Sequence, residues 1–225
     1  MTNFIDYRLN LISIKDKGIG YTCTQPISGN TVIIKEKPVI YLKSQNVISD
    51  IFEILHQIMT SSELIITKFN HFAPHSINTN EHHDIIMNEL NRIKDTHLYD
   101  FFIKKYSIDE IILMSLKYIC NCFDLPKLGP CVSFIGCKLN HSCYPNVVFG
   151  FKDGFIQFVT TRHISPGEEL CDNYVNLTHS IQVRQYRLLH QYNFKCVCPR
   201  CVHPSSFDHK YQSIIKVKNQ FFKLK

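Results

Sequence analysis

The 225-residue chain has no tryptophan. Its wealth of Ile, Asn and Lys reads as an AT-rich coding bias, which speaks of the genome and not of function. No run reaches the roughly 18 apolar residues that a membrane-crossing helix needs. The longest candidates, Ile111–Cys120 and Leu128–Cys137, are too short. The N-terminus carries Asp6 and Arg8 where a leader would be apolar, so no signal peptide is expected. Without one, the ten cysteines are expected to stay reduced or to bind metal, in cytosol or nucleus. No internal repeat is visible. The net charge of +6 is too small to argue for nucleic acid, and no direct nucleic-acid or membrane partner is expected.

What is present fits one domain with a real core, or one domain carrying an insertion. Arg8–Lys15 and Thr31–Tyr41 are β-branched and partly alternating, with Gly18, Gly20, Gly29 and Asn30 marking turns. From about residue 44 to 117 the period changes. Val47, Ile51, Ile54, Leu55, Ile58 and Met59 recur at helical spacing, as do Ile86, Leu90 and Ile93, then Leu98, Phe101 and Phe102. Ser107 and Glu110 form a capping-box pattern, while Pro74 and the polar run His75–His83 read as a loop. Strands return after Pro130: Val147–Phe151 and Phe155–Thr161 flank Lys152-Asp153-Gly154, a hairpin signal. Thr178 is expected to start a helix through Leu189. The stretch from Lys210 mixes Lys with Ile, Val and Phe, and is expected to pack one face and leave its lysines in water.

Cys196-Val-Cys198-Pro-Arg-Cys201 is the strongest chemical signal. A structural zinc takes four ligands in a tetrahedron, and three cysteines in one turn can wrap such an ion. Pro199 helps to fix that turn. The fourth ligand must come from elsewhere: Cys143 is preferred to His203, which lies close to Cys201, and to Cys171.

Asn140-His141-Ser142-Cys143-Tyr144-Pro145-Asn146 and Gly167-Glu168-Glu169-Leu170 through Asn173-Tyr174 resemble the two signature segments of SET-domain protein methyltransferases. Lys17-Gly18-Ile19-Gly20-Tyr21 resembles the family's N-terminal glycine motif, and Tyr192 through Cys201 its cysteine-rich post-SET corner. The four motifs stand in the family's order. The resemblance is closest to the SET-and-MYND group, in which the cysteine of Asn-His-Ser-Cys completes the zinc site. One departure is plain: no cysteine lies between Cys23 and Cys120, so the MYND module is absent. The chain is also too short for that group's helical C-terminal domain. The resemblance implies a mainly β fold with α, the SET-domain β-clip of small sheets. The expected layout is a SET domain over 8–175, split by a helical insertion at about 44–117. A post-SET helix and zinc corner follow over 176–204, then a basic tail over 205–225.

By the same resemblance the reaction is methyl transfer from S-adenosylmethionine to a protein lysine, histone or not, by a chain expected to be monomeric. Tyr174 is then the catalytic hydroxyl. Lys17, Gly18, Ile19, Gly20, Asn121, Asn140, His141 and Phe194 hold the cofactor. Phe123 and Tyr192 line the lysine channel, where aromatic faces tolerate an alkylated ammonium. Cys143, Cys196, Cys198 and Cys201 hold one structural zinc. Each ring also has a plain core reading, and a catalytically inactive SET fold acting as a zinc-stabilised protein-binding module is the alternative.

Overall fold

The structure, a computed structural model, describes residues 2–42, 47–77, 81–126 and 128–223. The expected start of the insertion near residue 44 and the last residues of the basic tail lie outside them. The chain divides into two compact units: residues up to Lys37 together with those from Ile135 onward, and Pro38–Phe134.

The first unit opens with β1 (Phe4–Ile5), β2 (Leu9–Ile14), β3 (Gly18–Cys23) and β4 (Val32–Glu36). β2 and β3 pair as a hairpin whose turn needs the left-handed backbone of Asp16 and Gly18. The second unit holds β5 (Ile40–Tyr41), then α1 (Asp50–Met59), α2 (Glu63–Asn70), α3 (Glu81–Arg92), α4 (His97–Lys105) and α5 (Ile108–Asn121). It closes with β6 (Cys122–Leu125) and β7 (Gly129–Val132), which form a sheet in the order β5-β7-β6. The apolar stripe of α1 buries Ile51, Phe52, Ile54, Leu55 and Ile58, and Phe52 meets Phe102 edge to face at 5.2 Å. Both bonds of the Ser107–Glu110 capping box form at the start of α5. The run read as a loop gives way to helix at Glu81, where α3 opens ahead of its buried Ile86 and Leu90.

The first unit resumes with β8 (Asn140–His141), β9 (Val147–Lys152), β10 (Phe155–Thr160) and β11 (Glu169–Asp172). Asp153 and Gly154 both take positive φ, as a tight β9–β10 hairpin demands. β10 is buried along its whole length because it is central in the sheet β1-β4-β10-β9. The other sheet runs β2-β3-β11-β8, and its β11–β8 pairing is parallel, with Cys171 opposite Asn140 and Asp172 opposite His141. That pairing brings the two central motifs side by side.

Among the described residues α6 (Ile181–Tyr192), α7 (Pro199–Val202), α8 (Pro204–Phe207) and α9 (Tyr211–Phe222) follow. α6 begins later than Thr178. The Thr178 backbone N–H and hydroxyl both donate to Asn176 Oδ1, and Ser180 is the residue that caps the helix. α9 packs Ile214 and Phe222 into a cluster with Val148, Val159 and Leu177. Burial of each such side chain stabilises by about 1.5–3 kcal/mol. Not every lysine of this helix stays in water, since Lys218 Nζ lies 4.5 Å from the Phe149 ring centroid.

Candidate active site

Backbone pairing fixes the site. Ser142 N donates to Asp172 O beside the β8–β11 pair. Asn146, buried, then stitches the two segments: its Nδ2 donates to Glu169 O and Glu168 Oε1, and its Oδ1 accepts from Cys171 N at 2.8 Å. Two segments separated in the sequence become one patch.

His141 and Tyr174 sit on it, with ring centroids 5.3 Å apart. Tyr174 N donates to His141 Nδ1 at 3.0 Å. An Nδ1 that accepts leaves the imidazole proton on Nε2, which lies 3.2 Å from Cys143 Sγ and donates to it. The Tyr174 hydroxyl donates to Leu139 O at 2.8 Å. Its proton is thus committed to a carbonyl, while the oxygen's lone pairs stay free to accept. Burial, and then the neighbouring Asp172, push the phenol's pKa well above its ordinary value, so it remains neutral. Tyr192 and Phe194 complete the group, with centroids 4.9 and 6.5 Å from that of Tyr174.

The end of α6 presents those two rings. Asn193 caps the helix in the left-handed region, which an asparagine tolerates, and so turns Phe194 back along it. Gln185 then clamps Cys196 from both sides, accepting from its N–H at 3.0 Å and donating to its carbonyl at 2.6 Å. Pro199 opens α7, a single turn in which Cys201 N donates to Cys198 O, so the two sulfurs share one face.

The sulfurs of Cys143, Cys196, Cys198 and Cys201 all lie within 4.8 Å of one another. Tetrahedral thiolate–zinc bonds of about 2.3 Å put sulfurs about 3.8 Å apart, so this donor set suits zinc. A hydrogen bond from Cys143 holds the Cys196 thiol far below its ordinary pKa, and the same sharing pushes Cys143 up. A divalent cation bound by such a quartet would displace the thiol protons.

On the other side of the patch, Lys17 Nζ pairs with Glu169 Oε2 at 2.5 Å, and Glu169 Oε1 accepts from Asn140 Nδ2 at 3.0 Å. Burial lowers the pKa of Lys17, but the bond to Glu169 and nearby acidic groups outweigh it and hold the ammonium charged. Gly20 lies against this chain: a Cβ there would come 2.5 Å from Asn140 Nδ2. Gly18 is open, with nothing within 4 Å of a notional Cβ, and Ile19 is exposed.

Of the residues singled out in the sequence, Lys17, Gly18, Ile19, Gly20, Asn140, His141, Cys143, Tyr174, Tyr192, Phe194, Cys196, Cys198 and Cys201 all lie in the first unit. Asn121 and Phe123 belong to the other. There Asn121 Nδ2 donates to Ala73 O and Lys117 O, and Phe123 is buried on β6.

The SET domain profile matches residues 18–175, most of the chain. The chain belongs to the SET-domain family. A SET domain-containing protein of Acanthamoeba polyphaga mimivirus is 37% identical over 96% of this chain and 86% of its own length. N-lysine methyltransferase SMYD2 of Sus scrofa is 28% identical over 54% of this chain and 29% of its own, so the chain spans under a third of that relative. Among solved structures, the SET domain of LSMT bound to methyllysine and AdoHcy is similar in fold. It has a TM-score of 0.67 at 12% identity, covering 88% of this chain and 55% of that one. The SET-domain fold, of mixed sheets with helices, is therefore what the two units build. No helix among the described residues is long and apolar enough to cross a membrane.

Sequence reasoning passed over Asp172, Arg184 and Arg200. All three are almost fully buried. Arg200 stands inside the Cys-Pro-Arg-Cys motif, where a surface-facing role is the ordinary expectation.

Proposed function

We propose that this SET-domain chain is an S-adenosylmethionine-dependent protein-lysine methyltransferase in which Tyr174 aligns the amine. One observation carries the reading: Tyr174, pinned through its hydroxyl to Leu139 O, stands within an aromatic group tied directly to the four-cysteine corner. Lys17, Glu169 and Asn140 offer a cation, a carboxylate and an amide, the complement of an amino-acid head group. The open backbone at Gly18 allows close approach. Phe194, half-buried, offers a face on which a base can stack.

S-adenosylmethionine supplies a methyl group on a sulfonium cation. The lysine nitrogen forms the new C–N bond as the S–C bond breaks, so the protein's task is alignment. That nitrogen must first lose a proton to water, which a free lysine does only near its pKa of about 10.4. An apolar channel favours the neutral amine, and Tyr192 beside Tyr174 provides aromatic walls for it. Tyr174 cannot take the proton, because its neutral phenol is favoured. Its oxygen accepts an N–H of the amine and turns the lone pair toward the methyl. Four thiolates around zinc leave no place for water, so the ion's part is structural. Cys143, Cys196, Cys198 and Cys201 would hold it, and would so tie Phe194 and Tyr192 to the β8–β11 patch.

Tyr174→Phe tests this. Ring and packing stay, one polar contact goes, and turnover on an accepted peptide should fall about a hundredfold or more. Donor affinity by calorimetry should change far less. A variant within a few-fold of the parent in single-turnover rate would return Tyr174 to a packing role. A parent that takes up no S-adenosylmethionine would favour the binding-module reading.

A further inference from the structure

Arg184 is 0% exposed. It lies on α6, one turn past the Ser180 cap, and its backbone N–H donates to Ser180 O. Its Nη1 donates to His179 O at 2.6 Å and lies 3.7 Å from Asp208 Oδ1. Nε and Nη2 are buried and make no hydrogen bond among the described residues, to sulfur included. They lie at the cysteine corner: Leu188, one turn on along α6, packs with Cys143 and Cys196, and, against the cost of burial, the Cys143 and Cys201 thiols raise the guanidinium's pKa.

A buried N–H left without an acceptor is destabilising. A protonated thiol is a weak acceptor, so it does little for a guanidinium. A thiolate is an anion and accepts charge-assisted bonds, which are roughly twice as strong as neutral ones. Four thiolates around a divalent cation also keep two net negative charges, which are costly to bury without compensation. The other buried arginine is used differently. Arg200 donates to Leu177 O at 2.8 Å and more distantly to Cys143 O, pairs with Asp208 through Nε and Nη2, and covers the Tyr211 ring. Its donors brace carbonyls and a carboxylate. Two of the Arg184 nitrogens have no such partner.

We infer that Arg184 is a positioning residue for the metal corner, donating to the metal-bound sulfurs of Cys143 and Cys201 and offsetting the charge of the four-thiolate site. This rests on reading the four cysteines as a metal site. It also explains why the corner is closed from α6, an element that supplies no cysteine. His141 is its counterpart on the opposite side, donating from Nε2 to Cys143 Sγ.

The experiment uses the full chain with zinc and with cobalt(II) as a spectroscopic substitute. Zinc affinity is measured by competition with a chromophoric chelator, and the sulfur-to-cobalt charge-transfer band is recorded for each variant. Arg184→Met should weaken zinc binding 10- to 100-fold, as loss of partners around metal ligands typically does, and should shift the charge-transfer band. Arg184→Lys keeps the charge and one donor and should recover part of the affinity. Arg200→Met should lower thermal stability while leaving zinc affinity within about threefold. An Arg184→Met chain binding zinc within twofold of the parent, with an unmoved band, would overturn the inference. If Arg184→Met does not fold, Arg184→Gln, polar but uncharged, decides by the same twofold criterion. A parent that takes up neither zinc nor cobalt removes the metal reading, and this inference with it.

Discussion

Two atoms of His141 hold together what the sequence keeps far apart. One accepts the backbone N–H of Tyr174 and the other donates to Cys143. Replacing the imidazole by a phenyl keeps the ring contacts but leaves the Tyr174 N–H unpaired, at a cost of about 1–3 kcal/mol. His141→Phe should therefore lower thermal stability, zinc affinity and turnover together, by roughly tenfold in each of the last two. Thermal melts, chelator competition and single-turnover rates check this. A variant losing turnover alone would separate the imidazole from the metal corner.

Asp172 poses a pH question on the same patch. Burial raises its pKa well above 3.8, opposed by Lys218, and its Oδ1 has no hydrogen-bond partner among the described residues. Between the unfolded value and the raised folded one, the native state holds a proton that the unfolded chain has released. Stability must then fall as pH climbs from about 4, because the native state binds more protons. Asp172→Asn is permanently neutral and should escape that slope. Its melting temperature should gain on the parent's from pH 4 to 7 and converge with it near pH 4. Parallel curves for the two proteins over that range would show that Asp172 is ionised in the fold.

At the scale of elements, the docking of α9 depends on a missing side chain. A Cβ on Gly150 would meet the Phe222 ring at 2.6 to 2.8 Å. Gly150→Ala should cost about 1–3 kcal/mol by overpacking. Adding Phe222→Ala should remove much of that penalty, so a double-mutant cycle in denaturant melts ought to show strong coupling. Additive effects would mean that the helix slides without loss.

The β9–β10 hairpin was legible because Asp-Gly carries its own backbone preference. The helix after Asn176 was legible as a helix but not in its first residue, since Thr178 and Ser180 can both act as caps. Asn176 settles the matter by occupying Thr178. The quartet of cysteines could be read from spacing and resemblance, and the four do converge. The Lys17–Glu169–Asn140 chain could not be read, because a link across 152 positions has no local signature. Nor could the burial of Arg184, whose neighbours on α6 are largely polar.

Taken whole, the molecule draws the corner's stability from a bond set that spans the chain, so metal removal should be felt locally before it is felt globally. Metal-binding free energy is folding free energy for residues that have no other core. Chelation should therefore raise amide exchange most at Cys196–Val202 and Asn140–Cys143, and lower the melting temperature. Hydrogen exchange followed by mass spectrometry reads this directly. Unchanged exchange at the corner after complete metal removal would show that packing alone holds it.

The parallel β8–β11 pair and the clasp beyond it also set an order of events during synthesis. Cys143 leaves the ribosome long before Cys196, Cys198 and Cys201, and β1 must wait for β4, which in turn waits for β10. Pairings of such sequence separation form late, because the loop between partners has to close first. A nascent chain arrested before the corner emerges can carry both strands and Tyr174 yet has nothing to pin Tyr192 and Phe194 beside them. On the proposed reading, the aromatic group around Tyr174 is then completed in one step, with the last cysteines to be translated.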